Sequence, residues 1–178
     1  MVLDRTDAVF GLVGLHQEHS DPTVVSGYID IRSFSARNAL PAYLVKSDSL
    51  FKLEDRELFV ALDLDLIWVA CWQRLIPKWL IERAPSVALG SHGSSHSIEG
   101  GWGRSPRNLA LILGCKQSSI ALFRIMVVVE EGNVVAELSV FYEQEDDIGI
   151  SCYRASIATA EMVCEVLKNP QPLTWSGP

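Results

Sequence analysis

The stretch that most constrains the fold runs from Ile120 to Glu143 and reads IALFRIMVVVEEGNVVAELSVFYE. Its first part, 120–130, is apolar on both faces apart from Arg124, the pattern of a strand covered from both sides. The tripeptide Glu131-Gly132-Asn133 supplies a tight turn, because glycine and asparagine tolerate positive φ. Beyond it the chain alternates. Val134, Ala136, Leu138, Val140 and Tyr142 share one face, while Val135, Glu137, Ser139, Phe141 and Glu143 share the other. A chain with this hairpin at its centre has to extend the sheet and cover it.

The flanking segments suggest how. NLALILGC (108–115) is a continuous apolar run of strand length, and DIGISCY (147–153) can add one more strand. After it Ala155, Ala158, Met162, Val163, Val166 and Leu167 recur at helical spacing. Lys168 falls in the last turn, Asn169 is placed to cap it, and Pro170 ends it. The expected class is α+β: an antiparallel sheet with a C-terminal meander over about 108–153 and at least one packed helix over about 154–168.

The first half is less regular. AVFGLVGL (8–15) and TVVSGYIDIRSF (23–34) flank the turn-rich HQEHSDP and read as two strands, in the second of which Tyr28, Asp30 and Arg32 alternate with Gly27, Ile29 and Ile31. Over 54–83 two periods compete. Leu62, Leu64 and Leu66 alternate with Asp63 and Asp65, yet Trp68, Trp72, Leu75 and Trp79 follow helical spacing. A strand to about Ile67 is expected, then helix with a break at Pro77. Residues 84–106 are expected to form a long loop.

The 178 residues are expected to form a single globular domain, 1–178; an apolar share of 48% with 21% charged argues against long disordered tracts. The opening MVLDRTDAVF carries Asp4 and Asp7 where a secretory signal needs a basic start. The greasiest run, Leu58 to Trp72, is broken by Asp63 and Asp65, so no membrane segment is expected and a cytoplasmic location is. Cys71, Cys115, Cys152 and Cys164 lie far apart in apolar surroundings without a C-x-x-C pair, and are expected to be four buried thiols.

Chemistry-bearing residues concentrate in SHGSSHSIEGGWG (91–103). His92 and His96, with His16, His19 and Cys115 or Cys152, could surround a metal ion if the loops met, but glycine and serine argue against the helix that would present the first pair. Ser94 beside His92 and His96 offers a hydrolase nucleophile, yet G-x-S-x-G is missing. Glycine amides beside Arg104 and Arg107 have the ingredients of an anion nest, without a P-loop pattern. No metal and no cofactor is assigned, and the segment is expected to be a surface loop. A small hydrolase or a ligand- or metal-binding domain using loop 90–107 is the alternative.

Charge points elsewhere. The net charge is −7, and no Lys or Arg occurs between residues 125 and 153. That interval holds Glu130, Glu131, Glu137, Glu143, Glu145, Asp146 and Asp147, leaving fifteen acids against fifteen bases in the rest. Such a ribbon repels phosphates, which excludes nucleic-acid binding through this face, and attracts a basic protein surface. Trp102, in a glycine-rich stretch, is a contact anchor to accompany it. The expectation is therefore a non-enzymatic protein-binding or inhibitor module, comparable in charge and size to immunity proteins or antitoxins. It would present Glu131, Glu137, Glu143, Glu145, Asp146, Asp147 and Trp102 to a basic toxin or nuclease domain. Self-association into a homo-oligomer is a further alternative.

Overall fold

The structure, a computed structural model, describes residues 10–19, 29–62, 64–72, 74–83, 87–94, 106–127 and 133–169. Strand β1 (Leu12–Leu15) runs parallel to β2 (Ala42–Val45), with Leu12 opposite Ala42 and Leu15 opposite Val45. Parallel neighbours need a crossover, and helix α1 (Ile31–Asn38) lies in it. The Asp30 carboxylate caps α1 by accepting the Arg32 N–H at 3.0 Å, and Ala39 ends it at φ 51°. The expected strand at 23–34 is thus corrected. Asp30 and Arg32 belong to a helix cap, β1 pairs with β2 instead, and residues 20–28 lie outside the described ones.

The cap has a pH signature. Side-chain hydrogen bonds from Arg32, then its backbone N–H, hold the Asp30 carboxyl down at about 2, from an ordinary 3.8. A depressed carboxyl contributes stability above its unfolded value and loses that contribution as pH falls through the folded one. The α1 cap is therefore expected to weaken between about pH 4 and pH 2. A carboxyl-carbon titration should give a midpoint near 2 for Asp30, rising only part of the way to the ordinary range in Arg32→Met, which keeps the backbone N–H of residue 32.

A second parallel unit follows. Helix α2 (Leu53–Ala61) precedes β3 (Leu66–Val69), and the short α3 (Lys78–Ile81) leads to β4 (Val87–Ser94), with Leu66 opposite Val87 and Val69 opposite Gly90. The strand expected up to Ile67 is correspondingly shorter, and helix occupies 53–61. The four residues at helical spacing share no helix, since Trp68 is in β3 and Trp79 in α3. Pro77 stands directly before α3 with extended backbone, where its missing N–H costs nothing.

Strand β4 also pairs antiparallel with β5 (Gln117–Arg124), which pairs antiparallel with β6 (Val134–Phe141), giving the order β3-β4-β5-β6. The expected hairpin is present in this β5–β6 pair, while of its expected turn, 131–133, residues 131 and 132 lie outside the described residues. This four-stranded sheet is mixed, not antiparallel, and β1 and β2 form a separate parallel pair. Two further segments are corrected. NLALILGC is largely helix, α4 (Pro106–Ile112), closed by Gly114 at φ 65° with the Cys115 N–H donating to the Ala110 carbonyl at 2.9 Å. DIGISCY is the start of helix α5 (Ile148–Lys168), capped where Asp147 accepts the Ile150 N–H. The end of α5 is as expected, with Lys168 in the last turn and Asn169 at the cap.

Two apolar clusters form the core, one on the four-stranded sheet and one around β1 and β2. Leu89, Ile120, Leu122 and Val140 meet Ala110 of α4 and Ala155, Ala158, Met162, Val163 and Val166 of α5, joined by Leu66 and Trp68. Ile67, whose side chain leaves β3 on the other face, joins Val45, Leu50, Phe59 and Leu80 with Val13, Leu15, Trp72 and Trp79. Helices α4 and α5 bury the apolar side chains that β4, β5 and β6 turn toward them. Of the four thiols only Cys164 is buried; Cys71 is exposed, and Cys115 and Cys152 are intermediate. No helix among the described residues is long and apolar enough to cross a membrane.

Candidate active site at the carboxyl edge of the parallel strands

The two parallel units share an edge. Trp72, just past β3, donates its indole N–H to the carbonyl of Asp48, just past β2, at 3.0 Å. Arg74 donates to the Asp48 carboxylate at 2.7 Å, which raises the guanidinium above its usual range. The chain leaving β2 is pinned from the other side as well, because the nearly fully buried Asp55 of α2 accepts the Lys46 N–H at 2.7 Å. The carboxyl ends of β2, β3 and β4 therefore lie together, with His16 following β1 and hydrogen-bonded through its backbone N–H to the Val45 carbonyl. In open α/β sheets this is where ligands bind, outside the carboxyl ends of the strands.

Strand β4 extends furthest along this edge. Its pairing with β3 stops at Gly90–Val69, and Ser91 to Ser94 pair only with β5. His92 sits in that extension, half-buried, opposite Ala121. It leaves the strand on the same face as Ala88 and Gly90. Close packing requires the glycine here: a β-carbon on Gly90 would come within 2.8 Å of the Phe123 ring. The segment expected to be a loop is thus partly a strand, disguised by its small residues. His92 is the candidate that the fold places at the edge. Ser94 ends β4; its side chain, His96 and Trp102 lie outside what is described. Among the described residues no group of three His, Cys, Asp or Glu side chains could hold a metal.

The acidic ribbon is not the surface it was expected to be. The Asp146 carboxylate is 5% exposed and closed by Arg154 at 2.7 Å, while Arg154 also donates to the Phe141 carbonyl. Asp147 serves as the α5 cap, and Glu131 lies outside the described residues. Glu143 and Glu145 are exposed in the turn before α5. Glu137 borders a different feature, a groove of about 510 Å³ between β6 and α5, floored by Ala136, Leu138, Met162 and Val166 and rimmed by Glu161 and Glu165. The Arg154 link makes a prediction: Arg154→Met leaves an enclosed carboxylate without its cation and should cost about 1–3 kcal/mol in denaturant unfolding. Asp146→Asn, which keeps an acceptor for the Glu143 N–H, should cost less.

Comparison with known proteins bears on the fold. No family model matches the chain. Methionyl-tRNA formyltransferase of Staphylococcus epidermidis RP62A is 23% identical over 138 residues, 77% of this chain and 43% of that protein. The enzyme of Staphylococcus aureus N315 is 25% identical over the same length. The chain thus spans 43% of the length of these relatives. Among solved structures, a formyltetrahydrofolate deformylase from Pseudomonas syringae pv. tomato DC3000 superposes with a TM-score of 0.69 at 17% identity, over 94% of this chain and 54% of that one. A phosphoribosylglycinamide formyltransferase from Bacillus halodurans gives 0.67 at 14% identity, over 94% and 86%. Glycinamide ribonucleotide transformylase 1 from Geobacillus kaustophilus gives 0.64 at 20%, over 80% and 76%.

These likenesses overturn the expectation of a non-enzymatic inhibitor, immunity protein or antitoxin with a basic toxin or nuclease partner, because the similar proteins are formyl-transfer enzymes. Two of the acids counted as a docking surface are also engaged within the chain, Asp146 by Arg154 and Asp147 as a helix cap. What the structural likenesses establish for this chain is its architecture: a Rossmann-like formyltransferase fold built on a mixed sheet.

Proposed function

We propose that this chain is a formyl-transfer domain that binds a formyl donor across the carboxyl edge of β2, β3 and β4 and uses His92 to handle the proton. The observation that carries this reading is the position of His92, on the part of β4 that runs past the carboxyl end of its parallel partner β3 in a fold shared with formyl-transfer enzymes. The chemistry needs such a group. A formyl group on nitrogen is an amide carbonyl, and attack by an amine or by water gives a tetrahedral adduct with charge on oxygen. As the new bond to carbon forms and the old C–N bond breaks, the nucleophile gives up a proton and the leaving nitrogen takes one. Imidazole is the side chain best suited to that exchange near neutral pH.

The names of the similar proteins supply the substrate classes to try: a formyltetrahydrofolate donor, with water, a glycinamide ribonucleotide or a methionyl-tRNA as acceptor. Such substrates accord with the cytoplasmic location expected from the sequence. Purified protein is to be incubated with formyltetrahydrofolate, alone and with each acceptor, while formate and formylated product are quantified. Catalysed loss of the donor's formyl group in any of the three reactions supports the reading. A donor that survives at the uncatalysed rate in all three contradicts it.

A further inference from the structure

A negatively charged protein that handles anionic substrates needs a local cation to receive them. Most cations near the carboxyl edge are already engaged. Arg74 is held by Asp48 at 2.7 Å, Arg32 by Asp30 at 2.7 Å, and Lys46 by Glu54 at 3.3 Å. Arg107 differs: among the described residues it has no hydrogen-bond or ion-pair partner. Its position is also well defined. A β-carbon on Gly93 would lie 3.3 Å from Arg107 Cγ and 3.4 Å from Cδ, so the stem of Arg107 rests on β4 one residue beyond His92. Arg107 is half-buried there, and Gly93 leaves the room that the stem occupies. A half-buried guanidinium with no partner among the described residues gives up hydration that an anionic ligand can replace. A planar fork of donors suits the oxygens of a phosphate or a carboxylate.

We infer that Arg107 is the anion-binding residue of this site, receiving a phosphate or carboxylate of the substrate while the formyl-bearing end lies at His92. The assignment rests on the formyl-transfer reading for the second half of that statement only. Gly93 and His92 are consecutive and face opposite sides of β4. A long substrate crossing the strand end therefore meets the guanidinium with one end and the imidazole with the other.

The test follows the Arg107 side-chain Nε–Hε resonance in nitrogen-labelled protein, identified by its loss in Arg107→Met. Inorganic phosphate and glutarate are titrated separately, with chloride at matched ionic strength as the reference. A saturable shift with phosphate identifies a phosphate site, and one with glutarate a carboxylate site; either supports the assignment. No shift with either anion, or an equal shift with chloride, overturns it. In the formyl assay Arg107→Met should raise KM about 10- to 100-fold and leave kcat within about threefold, with partial recovery in Arg107→Lys. An unchanged KM also overturns the assignment. Should the wild-type protein shift saturably with an anion yet turn over no formyl donor, the anion site stands and the formyl-transfer reading alone fails.

Discussion

His92→Ala is expected to lower kcat/KM for formyl transfer by about 100- to 10,000-fold, the range of one positioned proton-transfer group. That corresponds to about 3–5 kcal/mol of transition-state stabilisation. The loss should fall on kcat, because the imidazole is asked to act on the adduct and not to hold the ground state. Stability should change little, since His92 is half-buried on the part of β4 beyond β3, where backbone pairing with β5 does not depend on its side chain. Thermal unfolding alongside the steady-state assay separates the two effects. A variant that keeps its melting temperature and its kcat removes His92 from the chemistry.

Leu122→Ala is expected to have the largest effect on the fold, about 3–5 kcal/mol. Leu122 is fully buried in β5, between Ser91 of β4 and Ala136 of β6, and faces α4 and α5 within the first apolar cluster. Truncation leaves a cavity between a sheet and two helices, and neither layer can close it without disturbing the other. Against a usual stability of about 5–15 kcal/mol, that is a large share. Urea unfolding should show a lower midpoint at an unchanged slope. Leu138→Ala is the matched control on the outer strand, where the side chain is 38% exposed. It should cost less than about 1.5 kcal/mol.

These two sites differ in how far the sequence reveals them. The β5–β6 hairpin and the end of α5 are legible, because one alternates strictly and the other carries its apolar residues, last-turn lysine and cap in register. Helix α4 is not, because a short run apolar on all sides fits a buried strand as well as a helix, and its end is marked only by Gly114. Strand β4 is hidden by composition. Gly90 and Gly93 look like loop residues, yet they are small because Phe123, Ile120 and Arg107 press against the strand. His92 stands out by its chemistry, while the strand-end edge that gives it meaning depends on Trp72 reaching Asp48 across distant segments. The acidic run misleads for the same reason. Nothing in the order of residues tells that Arg154 closes over Asp146 or that Asp147 begins a helix.

The central claim is that the formyl donor binds where the parallel strands end. Nitrogen-labelled protein titrated with formyltetrahydrofolate tests it directly, through the backbone amides that shift. The account predicts that the shifts gather at His16, Lys46 to Ser49, Cys71, Trp72 and Ser91 to Gly93. Shifts confined to the groove between β6 and α5, or no saturable shift at all, would contradict it.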